Sequence, residues 1–184
     1  MGILLRELRI HGRGGQGSVT AAELIATAAF KSGVYSQAFP AFGVERRGAP
    51  VQAFVRFSDE KIRLRSQIYE PDYIVVQDSS LIADVNVFGG MKEGGIALVN
   101  TEKDTVPGVP PGVKLITIDA TSVALEILGL PITNTTLMGA FAAATGEIEL
   151  AALEEALRER FSGSLAEKNI AAARKAYEMV KGGA

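Results

Sequence analysis

The sequence predicts an α/β protein: a single three-layer α/β/α domain over residues 1–184, built on a mixed β-sheet. Three observations predict this class. The chain has 184 residues, the size of one domain. Runs of apolar, β-branched residues alternate with amphipathic helical patterns. One pair of strand patterns also requires antiparallel pairing. Hydrophobic residues make up 47% of the chain, enough for a full core.

In the first half of the chain, the sequence pattern predicts short strands and one long helix. The predicted strands are 5–11, 35–39, 51–57 and 62–64, and the predicted helix is 18–31. Thr20 and Glu23 have capping-box spacing near the start of the helix, and Gly33 is placed to end it. A turn at 58–60 joins the last two strands into an antiparallel hairpin, which makes the sheet mixed.

The second half alternates buried strands with helices. Strands are predicted over 73–77, 96–100 and 114–118, and helices over 81–87, 121–128, 136–144, 150–161 and 164–180. The alanine-rich helix over 136–144 must pack closely against its neighbours. Ser164 and Glu167 have capping-box spacing at the start of the last helix.

Composition excludes several kinds of site. The net charge of −2 shows no basic excess for nucleic acid or an anionic membrane. The absence of cysteine excludes disulfides, thiolate zinc sites and iron–sulfur clusters held by this chain. The single histidine, His11, excludes a multi-histidine metal site and is interpreted as structural. No signal peptide and no membrane span is predicted, so we expect a cytoplasmic location.

A glycine-rich loop between the first strand and the first helix is the first candidate site. It fits G-x-G-x-x-G in a Rossmann-like setting, where a helix N-terminus can hold a phosphate. Its candidate contact residues are Gly12, Arg13, Gly14, Gly15, Gln16 and Gly17. The acid that would hold the ribose of a dinucleotide is missing from 35–40, which counts against NAD. Close packing at a tight turn, or binding of a phosphate group such as part of coenzyme A, both stay open.

Two polar segments are further candidates. Glu45, Arg46 and Arg47 lie in a loop with Gly43 and Gly48. The guanidinium groups of the two arginines can donate paired hydrogen bonds to a carboxylate or phosphate. The alternative is a solvated loop with a local ion pair between Glu45 and an arginine. Asn134 lies just before an alanine-rich helix and could face a ligand; alternatively, Asn134 or Thr135 is the N-cap. No catalytic triad, carboxylate pair or metal-ligand spacing is present, so no catalytic residue is assigned.

These segments resemble the gamma subunits of pyruvate:ferredoxin and related 2-oxoacid:ferredoxin oxidoreductases. The resemblance lies in HGRGGQGSVTAAE at 11–23, QAFP at 37–40, FGVERRGAPV at 42–51, RFSDE at 56–60 and PITNT at 131–135. The segments occur in family order. The first and third together are specific to this family.

The resemblance implies a multi-chain enzyme that converts a 2-oxoacid and coenzyme A to acyl-CoA and carbon dioxide while reducing ferredoxin, in anaerobic metabolism. Thiamine diphosphate with magnesium, and iron–sulfur clusters, would belong to alpha, beta and ferredoxin-like delta subunits. The gamma chain would be inactive alone. The forms GRGGQG and ERRGAP are similar to those of pyruvate and branched-chain 2-oxoacid enzymes; an indolepyruvate enzyme stays open.

Two other functions remain as alternatives. The first is a free-standing Rossmann-like nucleotide-binding oxidoreductase, which the missing ribose acid and the missing catalytic set disfavour. The second is a non-catalytic assembly subunit that binds no ligand.

Overall fold

The secondary structure follows the predicted alternation closely. A computed structural model describes residues 4–41 and 46–183. The strands are β1 (Leu5–Arg13), β2 (Tyr35–Pro40), β3 (Pro50–Ser58), β4 (Tyr73–Val76), β5 (Ile96–Asn100) and β6 (Lys114–Ile118). The helices are α1 (Ser18–Lys31), α2 (Leu81–Asp84), α3 (Ala120–Leu128), α4 (Asn134–Thr145), α5 (Leu150–Arg160) and α6 (Gly163–Gly182). None of the helices in these ranges is long and apolar enough to cross a membrane.

The strands form one mixed six-stranded sheet in the order β2-β3-β1-β4-β5-β6. β1, β4, β5 and β6 run parallel, while β3 is antiparallel to both β1 and β2. The predicted mixed α/β sheet is therefore confirmed. Because β3 lies between β1 and β2, the end of β2 is one strand removed from the glycine-rich loop that follows β1.

β3 forms its antiparallel pair with a different strand from the one predicted. The expected returning strand over 62–64 is wrong, since residues 61–65 form neither helix nor strand. β3 pairs instead with the preceding β2, from Tyr35 opposite Ser58 to Pro40 opposite Ala53. Its other edge pairs with β1. Both edges of β3 are thus occupied, so no further strand can join it.

Alternating side chains of the parallel strands build a core on each face of the sheet. Ile10, Val75 and Leu98 contribute to the larger core, which includes buried residues of α1, α4, α5 and α6. Ile74 and Val76 point to the opposite face, where they join α2 and the segment that follows it. The second helical layer is therefore thin, since α2 has only 4 residues.

The helix ends are set by glycine more than by side-chain caps. Gly33 (φ 80°) follows α1, as predicted. Both predicted capping boxes are wrong. The α1 N-cap is Gly17, whose missing side chain cannot cap, and Thr20 lies inside the helix. The α6 N-cap is Ser162, one residue before Gly163, so Ser164 already lies within the first turn.

The close packing predicted for the alanine-rich helix occurs where α4 meets α6. A Cβ added at Gly139 would lie 1.8 Å from the Ala173 carbonyl oxygen. Only glycine permits this approach, because real Cβ atoms essentially never come within 3.0 Å of another heavy atom. The contact fixes α4, and with it Asn134 at the start of α4.

Candidate functional site

The glycine-rich loop turns sharply from β1 into α1. Gly15 (φ 96°) and Gly17 (φ 75°) adopt left-handed backbone conformations that L side chains rarely take. Gly17 is the N-cap of α1, and no side chain caps the helix there. The N–H groups of Ser18, Val19 and Thr20 have no acceptor among the described residues. These donors form the positive end of the helix dipole.

Two motif glycines are required by contacts within the chain. A Cβ at Gly12 would lie 2.3 Å from Ser18 Oγ and 2.4 Å from Gln77 Oε1. A Cβ at Gly14 would lie 2.2 Å from the Arg46 carbonyl oxygen. Close packing therefore explains Gly12 and Gly14 without a ligand.

The arginine loop lies directly against the glycine loop. Gly14 N–H donates to the Ala49 carbonyl at 2.9 Å, and Gly48 N–H donates to the Gly14 carbonyl at 3.0 Å. Gly14 and Arg47 form an isolated parallel bridge. Two candidate segments that are separate in sequence are thus one hydrogen-bonded unit. Glu45 lies outside the described residues, as do 42–44.

Asn134 brings the third candidate segment to the same place. Its Nδ2 donates weakly to the Gly17 carbonyl at 3.4 Å, while its buried Oδ1 has no hydrogen-bond partner among the described residues. The N-cap of α4 is Thr133, so the alternative that Asn134 or Thr135 caps the helix is wrong. Thr135 instead donates its hydroxyl to Asn169 Oδ1 at 2.6 Å. We call residues 12–17, 46–49 and Asn134 the glycine-loop corner.

The Arg13 side chain is held by acidic groups beyond the loop. It donates to Asp84 Oδ2 and Ser80 Oγ, each at 2.7 Å, and its Nε lies 3.3 Å from Asp78 Oδ2. The hydrogen bond to Asp84 is the largest cause that raises the pKa of Arg13. Arg13 is therefore engaged within the chain and is not a free anion ligand.

Gln16 joins the same network. Its Oε1 accepts from the Arg13 N–H at 2.7 Å, and its Nε2 donates to Asp78 Oδ2 at 3.1 Å. Burial acts to raise the pKa of Asp78, but hydrogen bonds from Ser80 and Gln16 and the charge of Arg13 lower it overall. Asp78 is thus a stable carboxylate that fixes the loop.

Sequence reasoning missed four residues that contact the glycine-rich loop: Asp78, Ser80 and Asp84, which hold Arg13, and Gln77, which accepts from Ser18 Oγ. A signal was present, because Gln77 and Asp78 directly follow the buried strand β4. The carboxyl ends of neighbouring parallel strands meet at one sheet edge, and β4 is the parallel neighbour of β1. The sequence did not show that β4 is the neighbour of β1 in the sheet, and this order is what brings Gln77 and Asp78 next to the glycine-rich loop.

The sheet topology counts against a dinucleotide site. In doubly wound folds, ligands occupy the crevice at the switch point, here between β1 and β4. Arg13, Gln16 and Asp78 link the two sides of that crevice. The second strand, whose end would supply the ribose acid, is separated from β1 by β3. The glycine motif therefore lacks the surroundings of an NAD site.

A shallow cleft remains open on the other side of the loop. It encloses about 270 Å³ and is lined by Arg13, Gly14, Gly15, Gly17, Ser18, Val19, Thr20 and Val51. The unpaired N–H groups at the start of α1 belong to its lining residues. These groups fit an anionic oxygen such as that of a phosphate.

His11 is buried beside this corner and is structural. It accepts a hydrogen bond from Arg9 Nε at 2.9 Å, and only 2% of it is exposed. Burial, and then the charge of Arg9, lower the pKa of His11 to about 3. The ring is therefore neutral at physiological pH, which agrees with its predicted structural role.

The chain's side chains do not fit the redox groups that the resemblance implies. The sequence has no cysteine to hold an iron–sulfur cluster. Within residues 4–41 and 46–183, no group of three or more His, Asp or Glu residues is placed to hold a metal.

Comparison with known proteins decides the family. The family model for pyruvate ferredoxin/flavodoxin oxidoreductase matches residues 7–179. The chain belongs to this family. Residues 12–17, 46–49 and 134 all fall within the matched range. The predicted family is thereby confirmed.

Individual relatives give the same result. The chain is 58% identical over 176 residues to the pyruvate/ketoisovalerate oxidoreductases common subunit gamma of Thermococcus kodakarensis, covering 93% of this chain and 95% of the relative. It is 54% identical to the pyruvate synthase subunit PorC of Methanocaldococcus jannaschii, covering 95% and 97%. Pyruvate oxidoreductase subunit PORC of Thermotoga maritima has a TM-score of 0.84 at 37% identity, covering 95% and 96%. The prediction of an oxidoreductase subunit is confirmed.

Proposed function

We propose that this chain is the gamma subunit of a cytoplasmic 2-oxoacid:ferredoxin oxidoreductase that uses pyruvate or a branched-chain 2-oxoacid, and that residues 1–184 form its single domain. Partner alpha, beta and ferredoxin-like delta subunits would hold thiamine diphosphate, magnesium and the iron–sulfur clusters. Ferredoxin would take the electrons. One observation carries the proposal: three family segments meet at the glycine-loop corner, in a chain whose described residues include no catalytic set.

We further propose that the glycine-loop corner holds the phosphate-bearing part of coenzyme A. The free N–H groups of α1 favour anionic oxygens, and the loop that carries Arg46 and Arg47 is hydrogen-bonded to Gly14 next to them. The buried Asn134 Oδ1 without a partner would need a ligand or partner hydroxyl or amide N–H, because an ionised phosphate donates no hydrogen bond. A corner that only contacts a partner subunit is the second candidate, because Gly12 and Gly14 are already explained by close packing.

Steady-state kinetics of the assembled complex distinguish these two candidates. The variant Arg46→Ala/Arg47→Ala should raise the KM for coenzyme A by roughly tenfold or more, since charge-assisted phosphate contacts contribute about 1.5–3 kcal/mol each. The KM for pyruvate and the subunit stoichiometry should stay unchanged. Arg158→Ala/Arg160→Ala on α5 is a control that removes the same charge.

Each outcome has a distinct meaning. An unchanged KM for coenzyme A with normal assembly would refute the coenzyme A proposal. Loss of the gamma chain from the complex in the first variant alone would favour the contact-only candidate. A wild-type complex that oxidises no 2-oxoacid would refute the proposed function itself.

A further inference from the structure

Helices α1 and α4 pack into the same core and point in the same direction. α4 begins at the glycine-loop corner, where Asn134 contacts Gly17. It ends at the opposite edge of the sheet, because Glu147, just after α4, accepts from the hydroxyl of Tyr73 at the start of β4. α1 begins after β1 and ends shortly before β2, whose first residue lies level with the first residue of β1. The positive ends of both helix dipoles therefore lie at the same edge of the sheet.

The first turn of α4 is buried and has no cap. Its N-cap residue, Thr133, makes no side-chain cap hydrogen bond. Residues 134–136 are at most 6% exposed, and their N–H groups have no acceptor in the part of the chain that the structure describes. α3 begins after β6 at the same edge but is capped, since the Asp119 side chain accepts from the Ser122 N–H at 2.9 Å. A buried helix start without a cap needs an acceptor from elsewhere.

Side-chain atoms without partners are concentrated at the same place. Among the described residues, five buried side-chain nitrogen or oxygen atoms lack a hydrogen-bond partner, and three of them are Gln77 Nε2, Asn134 Oδ1 and Thr136 Oγ1. Gln77 Oε1 accepts from Ser18 Oγ, and Asn134 Nδ2 donates to the Gly17 carbonyl. Each of these two amides thus uses one half of its group at the start of α1 and leaves the other half unused.

The Gly17 carbonyl fixes the orientation of the Asn134 amide. A carbonyl only accepts, so Nδ2 must face it and Oδ1 must point away. Gly17 lines the open cleft beside the loop, and a Cβ at Gly17 would lie 2.5 Å from Asn134 Nδ2. Asn134 therefore lies directly behind the wall of the cleft. Its hydrogen bond to Gly17 is long, at 3.4 Å, so a small displacement of the loop would open a path to Oδ1.

We propose that the first turns of α1 and α4 form one anion site and that Asn134 determines its specificity. The site takes a phosphate ester that carries a hydroxyl or an amide N–H beside the phosphate. Phosphate oxygens would accept from the N–H groups of both helices and from Gln77 Nε2, while the hydroxyl or amide would donate to Asn134 Oδ1. The inference rests on the proposed function, since it takes the glycine-loop corner as the place of a phosphate-bearing ligand.

The unused groups select this class of ligand over simpler ones. A plain phosphate has no donor when ionised, so it would leave Asn134 Oδ1 buried and unpaired. A neutral amide or alcohol would leave the N–H groups of both first turns without an anion. Only a ligand with both parts satisfies the helix starts and Asn134 together.

Titration calorimetry of the assembled complex tests the site with two probes. 4′-Phosphopantetheine carries a hydroxyl and amides beside its phosphate, whereas butyl phosphate carries none. Asn134→Ala should weaken binding of 4′-phosphopantetheine by roughly tenfold, because one hydrogen bond is lost, and change binding of butyl phosphate by less than about twofold. Thr135→Val is the control, since Thr135 lies in the same turn but its hydroxyl bonds to Asn169 on α6. It should change neither dissociation constant.

A second variant tests the anion site itself. Gln77→Glu keeps an acceptor for Ser18 but replaces the unused donor with a negative charge. It should therefore weaken binding of both probes by roughly tenfold or more. Circular dichroism of each variant chain checks that the fold is retained.

The outcomes separate this inference from the proposed function. Equal weakening of both probes by Asn134→Ala, or no weakening of either, would overturn the role of Asn134 and indicate that only water uses its Oδ1. Unchanged binding of butyl phosphate in Gln77→Glu would overturn the anion site shared by two helices. The coenzyme A proposal would stand in both cases if Arg46→Ala/Arg47→Ala raises the KM for coenzyme A. A wild-type complex that oxidises no 2-oxoacid would refute the proposed function itself.

Discussion

The guanidinium of Arg13 donates to the Asp84 carboxylate at 2.7 Å, tying the glycine-rich loop to the helix that follows β4. The same side chain lies 3.3 Å from Asp78. This arrangement directs the charged side chain of the glycine motif toward the acidic groups that follow β4. Arg46, Arg47 and the N–H groups of α1 are therefore among the groups left for contact with an anion.

Asp78 should make the loop sensitive to acid. Its pKa is lowered below the ordinary value of 3.8, so its charged form stabilises the fold above that pH. This stabilisation is lost as the pH falls through the lowered pKa. Asp78→Asn should cost about 1 kcal/mol at pH 7 and nothing at strongly acidic pH. Denaturant melts of both proteins measure the difference, and a difference independent of pH would contradict the assignment.

His11 should produce a separate acid effect. Its folded pKa of about 3 lies below the ordinary 6.5. Between these values the unfolded chain binds a proton that the folded chain does not, so stability falls on acidification by up to about 1.4 kcal/mol per pH unit. His11→Gln should remove this slope because glutamine binds no proton in this pH range. Its amide oxygen can still accept from Arg9. Equal slopes in both proteins would show that His11 titrates normally in the folded state.

Gly14 should tolerate no side chain. Gly14→Ala would place a Cβ 2.2 Å from the Arg46 carbonyl oxygen, so the arginine loop must move. We expect a loss of about 1–3 kcal/mol and a raised KM for coenzyme A in the complex. Gly182→Ala is the control, since nothing lies within 4 Å of its added Cβ. Equal melting temperatures for the two variants would argue against the described contact between the loops.

Arg56 should control the order of the segment between β3 and β4, residues 59–72. Arg56→Ala leaves Glu7 and the carbonyls of Ser66 and Gln67 without their donor. We expect a loss of about 3–5 kcal/mol and faster hydrogen exchange over 61–70. Lys31→Ala, which breaks an exposed pair with Glu155 and Glu159, should cost about 0–1 kcal/mol. Unchanged exchange over 61–70 in Arg56→Ala would mean that other contacts hold this segment.

Most elements could be predicted from the sequence because they depend on local pattern. Strands such as Ile96–Asn100 are continuous apolar runs, and α1 begins and ends where its glycines predict. The returning strand over 62–64 failed because pairing depends on which edges are free. That is a property of the whole sheet, since β3 is inserted between β1 and β2.

The candidate site was predictable in its parts but not in its assembly. The glycine loop, Arg46, Arg47 and Asn134 were each recognisable from residue type and family resemblance. Their meeting depends on the register that places Arg13 opposite Pro50. Asp78, Ser80 and Asp84, which hold the Arg13 guanidinium, lie 65 or more positions away in sequence, and no local pattern connects them to it.

Native isolation of the chain from its own cells under oxygen-free conditions tests whether it is a subunit of a 2-oxoacid oxidoreductase. We expect co-purification with a thiamine-binding chain and a cysteine-rich ferredoxin-like chain, identified by mass spectrometry. The isolated complex should reduce a dye only when both a 2-oxoacid and coenzyme A are present. A chain recovered alone, or with partners that oxidise no 2-oxoacid, would contradict this assignment.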